Sequence, residues 1–142
     1  NILAIDISKK ALFVAQKNIQ KFNISNIDLK CINFFKKNIN KKFDLVVANP
    51  PYISSDDYHF LPEMIKKYEP KIALTDFNDG YNFYRYIADH FTCFMNADGI
   101  MLLEIGLENT KAYIEKLFHS RGCQTKWYKD YNGSNRILKI KS

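Results

Sequence analysis

The stretch Phe43-Asp44-Leu45-Val46-Val47-Ala48-Asn49-Pro50-Pro51-Tyr52 restricts the fold of this chain more than any other. The apolar run Phe43–Ala48 predicts a buried strand, bounded by turn chemistry. Two prolines in series cannot extend a central strand, because each lacks an N–H and holds φ near about −65°. A residue that precedes proline is itself pushed to extended geometry, so Asn49 is held rigidly at the strand's carboxyl end. In open α/β sheets that end is where ligands bind. The stretch thus presents a fixed amide, two carbonyls without neighbouring donors and a flat aromatic ring. Such a group suits a planar –NH2 substrate: the Asn49 side-chain oxygen and the Pro50 carbonyl each accept one hydrogen while Tyr52 packs on the flat face. The alternative is a Pro-Pro turn after a core strand, with Asn49 as a local cap.

The rest of the chain predicts a parallel α/β sheet. Ile2–Ile5 is a short apolar strand closed by Asp6, and Ser8 offers an N-cap to a helix over 8–22 that buries Ala11, Leu12, Ala15, Ile19 and Phe22. Ile27, Leu29 and Cys31 alternate as a second strand, and the polar stretch Asn33–Lys42 leads to the third. Strand, helix, strand, loop, strand is the rhythm of a parallel sheet. Ser54–Tyr68 holds a short helix limited by Pro62, and Glu69-Pro70 opens an irregular segment ending near Asp79-Gly80. Phe83, Ile87, His90, Phe91 and Phe94 mark one face of a helix, where His90 reads as a satisfied core histidine. Asn96-Ala97-Asp98-Gly99 is expected to turn into a strand over Ile100–Ile105. A helix from about Glu108 to Ser120 buries Tyr113, Ile114, Leu117 and Phe118, with Gly122 as its C-cap. Strands Cys123–Lys129 and Arg136–Lys141 close as an antiparallel hairpin.

Composition bounds the reading. At 142 residues, 46% of them hydrophobic, the chain is expected to be one domain over 1–142 with a real core. A net charge of +6 permits an acidic partner, but the lysines are scattered and no base-stacking aromatics are interleaved with them. Direct nucleic-acid binding is therefore not expected. Cys31, Cys93 and Cys123 lack metal-ligand spacing and read as reduced, buried thiols of a cytoplasmic protein. His59, His90 and His119 pair with no cysteine, so no metal is expected. No apolar run approaches ~18 residues, so no membrane span is expected. The chain opens on Asn1 with a strand at once, and truncation on its amino-terminal side is expected.

Three strand ends present suitable groups for a nucleotide-like cofactor and a reacting centre. An acidic residue ending the strand before a helix can hold both ribose hydroxyls, and Asp6 is so placed. It reads equally as a helix-start carboxylate favoured by the dipole. Asn33-Phe34 follows the next strand, where a polar side chain can meet an adenine amino group and a ring can pack on the base. Phe34 and Phe35 read equally as core residues. Asn49 stands at the third strand end.

On these residues the chain resembles the HemK-type protein-(glutamine-N5) methyltransferases, the release factor glutamine methyltransferases. The similar stretches are Ala4-Ile5-Asp6-Ile7-Ser8 with Ala11, Ala15 and Asn18, then Asn49-Pro50-Pro51-Tyr52-Ile53. Glu69-Pro70 with Ala73-Leu74, Asp79-Gly80, Leu103-Glu104-Ile105-Gly106, and Lys129-Asp130 with Gly133 and Arg136 follow in the family's order. The resemblance implies a Rossmann-like class I S-adenosylmethionine-dependent fold: a mostly parallel sheet with an antiparallel C-terminal hairpin, lacking the first strand and glycine loop. It implies S-adenosyl-L-methionine as cofactor and, as substrate, the glutamine of the Gly-Gly-Gln motif of peptide chain release factors, with a monomeric enzyme expected. It also implies that Asp6 holds the ribose, that Asn33 and Phe34 meet the adenine, and that Asn49 touches both cofactor and glutamine. Pro50, Pro51 and Tyr52 complete the catalytic substrate site. Asn33 stands where the family usually has Asp. Glu69 and Glu104 read as loop anchor and strand-end packing rather than as bases. The alternatives are methylation of an exocyclic amino group of adenine or guanine, or a non-catalytic remnant of the fold.

Overall fold

A computed structural model describes residues 1–36, 39, 41–106 and 110–142. They form two compact units, Asn1–Ile39 and Asn40–Ser142.

The first unit is a β-α-β motif. Strands β1 (Ile2–Asp6) and β2 (Ile27–Cys31) pair in parallel, with Ile2 opposite Ile27 and Asp6 opposite Cys31. Helix α1 (Lys9–Lys21) joins them and packs on both. It begins where the Ser8 hydroxyl accepts the Ala11 N–H at 3.2 Å, the side-chain cap expected of a serine there. It ends where Asn23 takes a positive φ of 52°, a conformation asparagine tolerates better than most residues. Leu12, Ala15 and Ile19 are half-buried, whereas Ala11 and Phe22 are exposed, contrary to the expected core face. A two-stranded sheet is too narrow to cover a whole helix face. Phe22 moreover lies past the last helical residue, as the C-cap.

The second unit is built on a four-stranded mixed sheet of order β3-β4-β6-β5. Strand β3 (Phe43–Ala48) is parallel to β4 (Met95–Glu104), which is antiparallel to β6 (Asn135–Lys141). Strand β5 (Gln124–Lys129) pairs with β6 as the expected hairpin. The core gathers Tyr84, Ile87, Phe91, Met101, Leu103, Ile105, Ile114, Phe118, Leu138 and Ile140, each at most 2% exposed. Alternate residues of β4 and β6 meet one face of helices α5 (Asn82–Phe94) and α6 (Lys111–His119) in this set, as periods of 2 and 3.6 require.

Several boundaries differ from the sequence reading. Asn96–Gly99 is not a turn before a strand: β4 already runs from Met95, and the register slips between Phe43/Met95 and Leu45/Ile100. A bulge of this kind accommodates the glycine inside the strand. The stretch 54–68 is two short helices, α2 (Ser55–His59) and α3 (Glu63–Tyr68), because Pro62 starts the second instead of merely ending the first. The expected irregular segment contains a single helical turn, α4 (Lys71–Leu74), directly after Pro70. Tyr113 is exposed rather than buried, and Cys31 and Cys93 are exposed while Cys123 is buried. Glu108, expected to open the last helix, lies outside the described residues. His90 is half-buried, with Nδ1 2.9 Å from the Tyr86 carbonyl and its ring stacked on Tyr86. Among the described residues no helix is long and apolar enough to cross a membrane, and no group of three metal-ligating side chains gathers.

Helix α6 closes on a pair of reversed hydrogen bonds. The Cys123 N–H donates to Phe118 and the Gly122 N–H to His119, at 3.1 and 3.0 Å, with Gly122 at φ 78°. A Cβ at Gly122 would meet nothing within 4 Å, so the cost of a side chain there is backbone strain alone. Gly122→Ala should lower stability by about 1 kcal/mol. Urea unfolding is the check, with a reduced midpoint at constant slope as the expected result.

Candidate active site

Asn49 follows directly on β3, whose last residue Ala48 pairs with Leu103. It is exposed, and among the described residues none hydrogen-bonds to its side chain. A capping role would require such a bond, so the amide is left for something else. No backbone N–H of the described residues donates to the Pro50 carbonyl. Pro50 is buried, and Pro51 and Tyr52 are half-buried.

Tyr52 is held from two sides by glycines. A Cβ built on Gly106 would overlap the Cδ2 and Cε2 atoms of the Tyr52 ring. A Cβ on Gly80 would lie 2.5 Å from the Tyr52 carbonyl oxygen, and Gly80 also needs its φ of +84°. Only glycine satisfies both demands at position 80. Beyond the motif, the Ile53 N–H donates to the Leu74 carbonyl at 3.0 Å, and the Ser55 N–H to Asn78 at 2.7 Å. Ile53 and Thr75 form a parallel bridge, with Thr75 only 1% exposed.

The loop carrying Gly80 is organised by one carboxylate. Asp76 Oδ1 accepts the N–H groups of Asn78 and Gly80 at 2.9 and 3.0 Å, and Oδ2 accepts that of Asn82 at 2.9 Å. Asn82 opens α5, so a negative charge sits where the helix dipole favours it. Arg85, one turn into α5, forks onto both oxygens of Asp79 at 2.8 and 2.7 Å and also donates to Asn82 Oδ1 at 2.7 Å. The Arg85 guanidinium holds the Asp79 carboxyl below the usual range, and Asp79 in turn raises Arg85. Burial pushes the neighbouring Tyr81 phenol up, and its ring lies 4.5 Å from that of Tyr113.

The end of β4 is held with equal care. Tyr84, buried in α5, donates its hydroxyl to the Glu104 carbonyl at 2.8 Å. Burial keeps this phenol protonated far above its ordinary range. Arg136 donates to the carbonyls of Ile105 and Gly106. Three successive carbonyls, that of the last ladder residue and the two beyond it, are thereby satisfied by side chains. Glu104 thus takes part through its backbone. Glu69 is an exposed cap of α3 whose N–H donates to Ile65 at 2.9 Å. Sequence reasoning placed Asp79, Gly80, Gly106 and Arg136 in similar stretches without giving them work, and it missed Asp76 and Tyr84. Asp76, four residues before Gly80, was the available signal: a carboxylate ahead of a glycine turn and a helix start.

In the first unit, Asp6 ends β1 and Asn33-Phe34 follows β2, whose ladder with β1 is continued by the Ile32 N–H donating to the Asp6 carbonyl at 3.0 Å. Asp6 Oδ1 accepts the Ser8 N–H at 2.7 Å, which fixes the carboxylate plane while the residue stays exposed. Asn33 Oδ1 accepts the Phe35 N–H at 3.1 Å, closing a turn, and Phe34 is half-buried. The helix-start role read for Asp6 is present through one oxygen. The other is open to a ligand.

A family model described as Eco57I restriction-modification methylase matches residues 1–106. The chain belongs to this family. A curated relative, the release factor glutamine methyltransferase of Fusobacterium nucleatum, is 36% identical over 140 residues, which cover 97% of this chain and 39% of that protein. The chain therefore spans less than half the length of this relative. Among solved structures, a methyltransferase from Pyrococcus furiosus superposes with a TM-score of 0.67 at 20% identity, over 97% of this chain and 60% of that one. A release-factor-specific protein-(glutamine-N5) methyltransferase from Alicyclobacillus acidocaldarius gives a TM-score of 0.50 at 15% identity, over 98% and 77%. The fold is that of the class I methyltransferases, as the sequence reading expected, with a mixed sheet.

The Asp79–Arg85 pair supplies a pH test of the loop beside Tyr52. Because the folded pKa of Asp79 is depressed, its contribution is complete above the unfolded value of about 3.9 and is lost as pH falls through the lower folded value. Asp79→Asn should therefore destabilise the protein at neutral pH, and the difference from wild type should vanish in acid. The pair is half-exposed, so added salt should shrink the effect at neutral pH. Thermal midpoints across pH and salt are the measurement.

Proposed function

We propose that this chain carries out transfer of a methyl group from S-adenosylmethionine to the side-chain amide nitrogen of a glutamine, that of the Gly-Gly-Gln motif of peptide chain release factors. The observation that carries the reading is the Asn49 amide: exposed, without a hydrogen-bond partner among the described residues, and set on a strand end that two prolines and a clamped tyrosine keep still. The names of relatives that match along nearly the whole chain support the substrate class.

The residues present fit the cofactor. Asp6 is oriented by Ser8 through one oxygen, and its other oxygen suits a ribose hydroxyl. Asn33 and Phe34 suit the adenine, by hydrogen bond and by ring contact. The cofactor supplies a sulfonium methyl group open to attack by nitrogen. An amide nitrogen is a poor nucleophile because its lone pair is delocalised into the carbonyl. Asn49 Oδ1 and the Pro50 carbonyl would each accept one amide hydrogen, which orients the nitrogen and its lone pair for attack. Both acceptors gain strength as the nitrogen becomes positive, so positioning and electrostatics supply the rate. The nitrogen would form a bond to the methyl carbon as the C–S bond of the sulfonium breaks to leave a neutral thioether, and its proton would pass to solvent. Tyr52 covers the flat face of the amide.

A second reading has an observation of its own. The matching family model is named for a restriction-modification methylase, and an exocyclic amino group of adenine or guanine presents the same planar –NH2. Incubating the full-length protein with labelled cofactor and either a purified release factor or duplex DNA separates the two. Label on the protein glutamine is expected, and label on DNA alone would replace the first reading by the second.

Two substitutions test the roles. Asn49→Ala should lower kcat by on the order of 10²–10³ with a smaller change in KM, since its oxygen matters most in the transition state. The thermal midpoint should hold. A destabilised protein with a normal single-turnover rate would return Asn49 to a structural cap. Asp6→Ala should weaken cofactor binding by about 2–3 kcal/mol, the scale of lost charged hydrogen bonds. Calorimetric titration reads it, and unchanged affinity would remove Asp6 from the site.

A further inference from the structure

Arg136 stands at the start of β6, well away from Asn49 in sequence, and no step described above uses it. Its surroundings set it apart from an ordinary surface arginine. Asp130, in the turn between β5 and β6, accepts the Asn132 and Ser134 N–H groups on Oδ1 at 2.9 and 3.0 Å. Its Oδ2 faces Arg136 Nε at 3.4 Å. Asp130 thus fixes its own turn with one oxygen and steers the guanidinium with the other. Arg136 Nη1 then donates to the carbonyls of Ile105 and Gly106, and its own carbonyl accepts the Ile105 N–H at 2.8 Å. Gly106 is buried, and its missing side chain is the space filled by the Tyr52 ring.

We infer that Arg136, oriented by Asp130, is a positioning residue for the Asn49–Tyr52 motif, acting through Gly106 on the ring of Tyr52. A planar fork with several donors can hold two successive carbonyls and a carboxylate at once, which an ammonium cannot reproduce. With the fork in place, the strand end beyond Glu104 is pinned at two consecutive carbonyls, and Tyr52 has a fixed wall to rest against. Without it, the Ile105 and Gly106 carbonyls lose their donors, the wall shifts, and the ring that covers the substrate amide is free to follow.

The effect on turnover rests on the proposed methyl transfer; the effect on Tyr52 does not. The full-length protein is compared with Arg136→Ala, Arg136→Lys and Arg121→Ala. Arg121 is the internal control, because it also pairs with an aspartate, Asp89, and donates to a backbone carbonyl, that of Leu117, but among the described residues it hydrogen-bonds to neither Gly80 nor Gly106. The first readout is the aromatic NMR signal of Tyr52, assigned by its disappearance in Tyr52→Phe. It should shift or broaden in Arg136→Ala, less in Arg136→Lys, and stay in place in Arg121→Ala. The second is kinetics on the release factor. Arg136→Ala should lose about ten- to a hundredfold in kcat, the scale of a sub-ångström to ångström misplacement, with KM changed far less. Arg121→Ala should lose stability but keep its kcat. Should Arg136→Ala fail to fold, the lysine variant carries both readouts. A Tyr52 signal unmoved in folded Arg136 variants would overturn the inference, as would an equal shift in Arg121→Ala. A shifted signal in a protein with no activity in any form would leave the inference standing and remove the proposed reaction instead.

Discussion

The contact between the Tyr52 ring and Gly106 is the one on which the site depends. A proline pair stops the β3 ladder, and a chain leaving a ladder has no backbone partner to tell it where to go. Here the direction is set by exclusion. Two backbones approach Tyr52 so closely that neither can carry a side chain, one against the ring and one against the carbonyl. Each of those backbones is then fastened by a charged group: the Gly80 loop by its own Asp76, and the Gly106 strand end by Arg136 of a distant strand. Packing supplies the position and hydrogen bonding supplies the stiffness. Close approach without the fastening would leave a ring in a loose slot.

The chemistry that follows is spare. No histidine or carboxylate has to be tuned, and the groups assigned to the substrate are a neutral amide and a backbone carbonyl. Neutral acceptors do little for a ground-state amide beyond what water does. Their advantage lies in being already oriented when positive charge develops, so that no reorganisation is needed at that moment. The proposed reaction accords with a supporting structure around the motif that is heavily bonded while Asn49 itself is not. Rigidity has been placed in the frame, and the reacting contact has been left open.

Much of this was legible in the sequence, for reasons that can be traced to particular residues. The strands at Ile2, Ile27 and Phe43 were readable because short apolar runs between turn residues have few alternatives, but β3 is not the buried strand expected: Leu45 and Val47 are exposed. The helix over Asn82–Phe94 was readable because its buried positions recur at helical spacing. Gly122 announced the end of α6, since a glycine after the last apolar turn adopts a left-handed cap. What could not be read were consequences of three-dimensional neighbours. Asn96–Gly99 looks like a turn in isolation, yet Phe43 pairs with Met95 and draws the segment into the sheet. Phe22 and Tyr113 have the pattern of core residues but remain exposed, Phe22 past the helix end and Tyr113 against the ring of Tyr81. Cys31 and Cys93 follow the same rule. Asp76 and Arg136 escaped because their work is done on backbone carbonyls and N–H groups, which carry no signature in the sequence.

The topology of the second sheet has a consequence for how the motif comes into being. Strand β3 opens this unit in chain order, whereas β6, which carries Arg136, follows some ninety residues later (about 92 from Phe43 to Asn135). Glu104 pairs with Ile137 in the finished sheet, so the carbonyls that Arg136 holds are presented to it only after the terminal hairpin has docked. Pairings over such long sequence separations form late, once the chain entropy of closing the intervening loop has been overcome. A chain without β6 would keep every residue assigned to the substrate and both glycines that meet Tyr52, but not the Arg136 fork that fastens the Gly106 backbone.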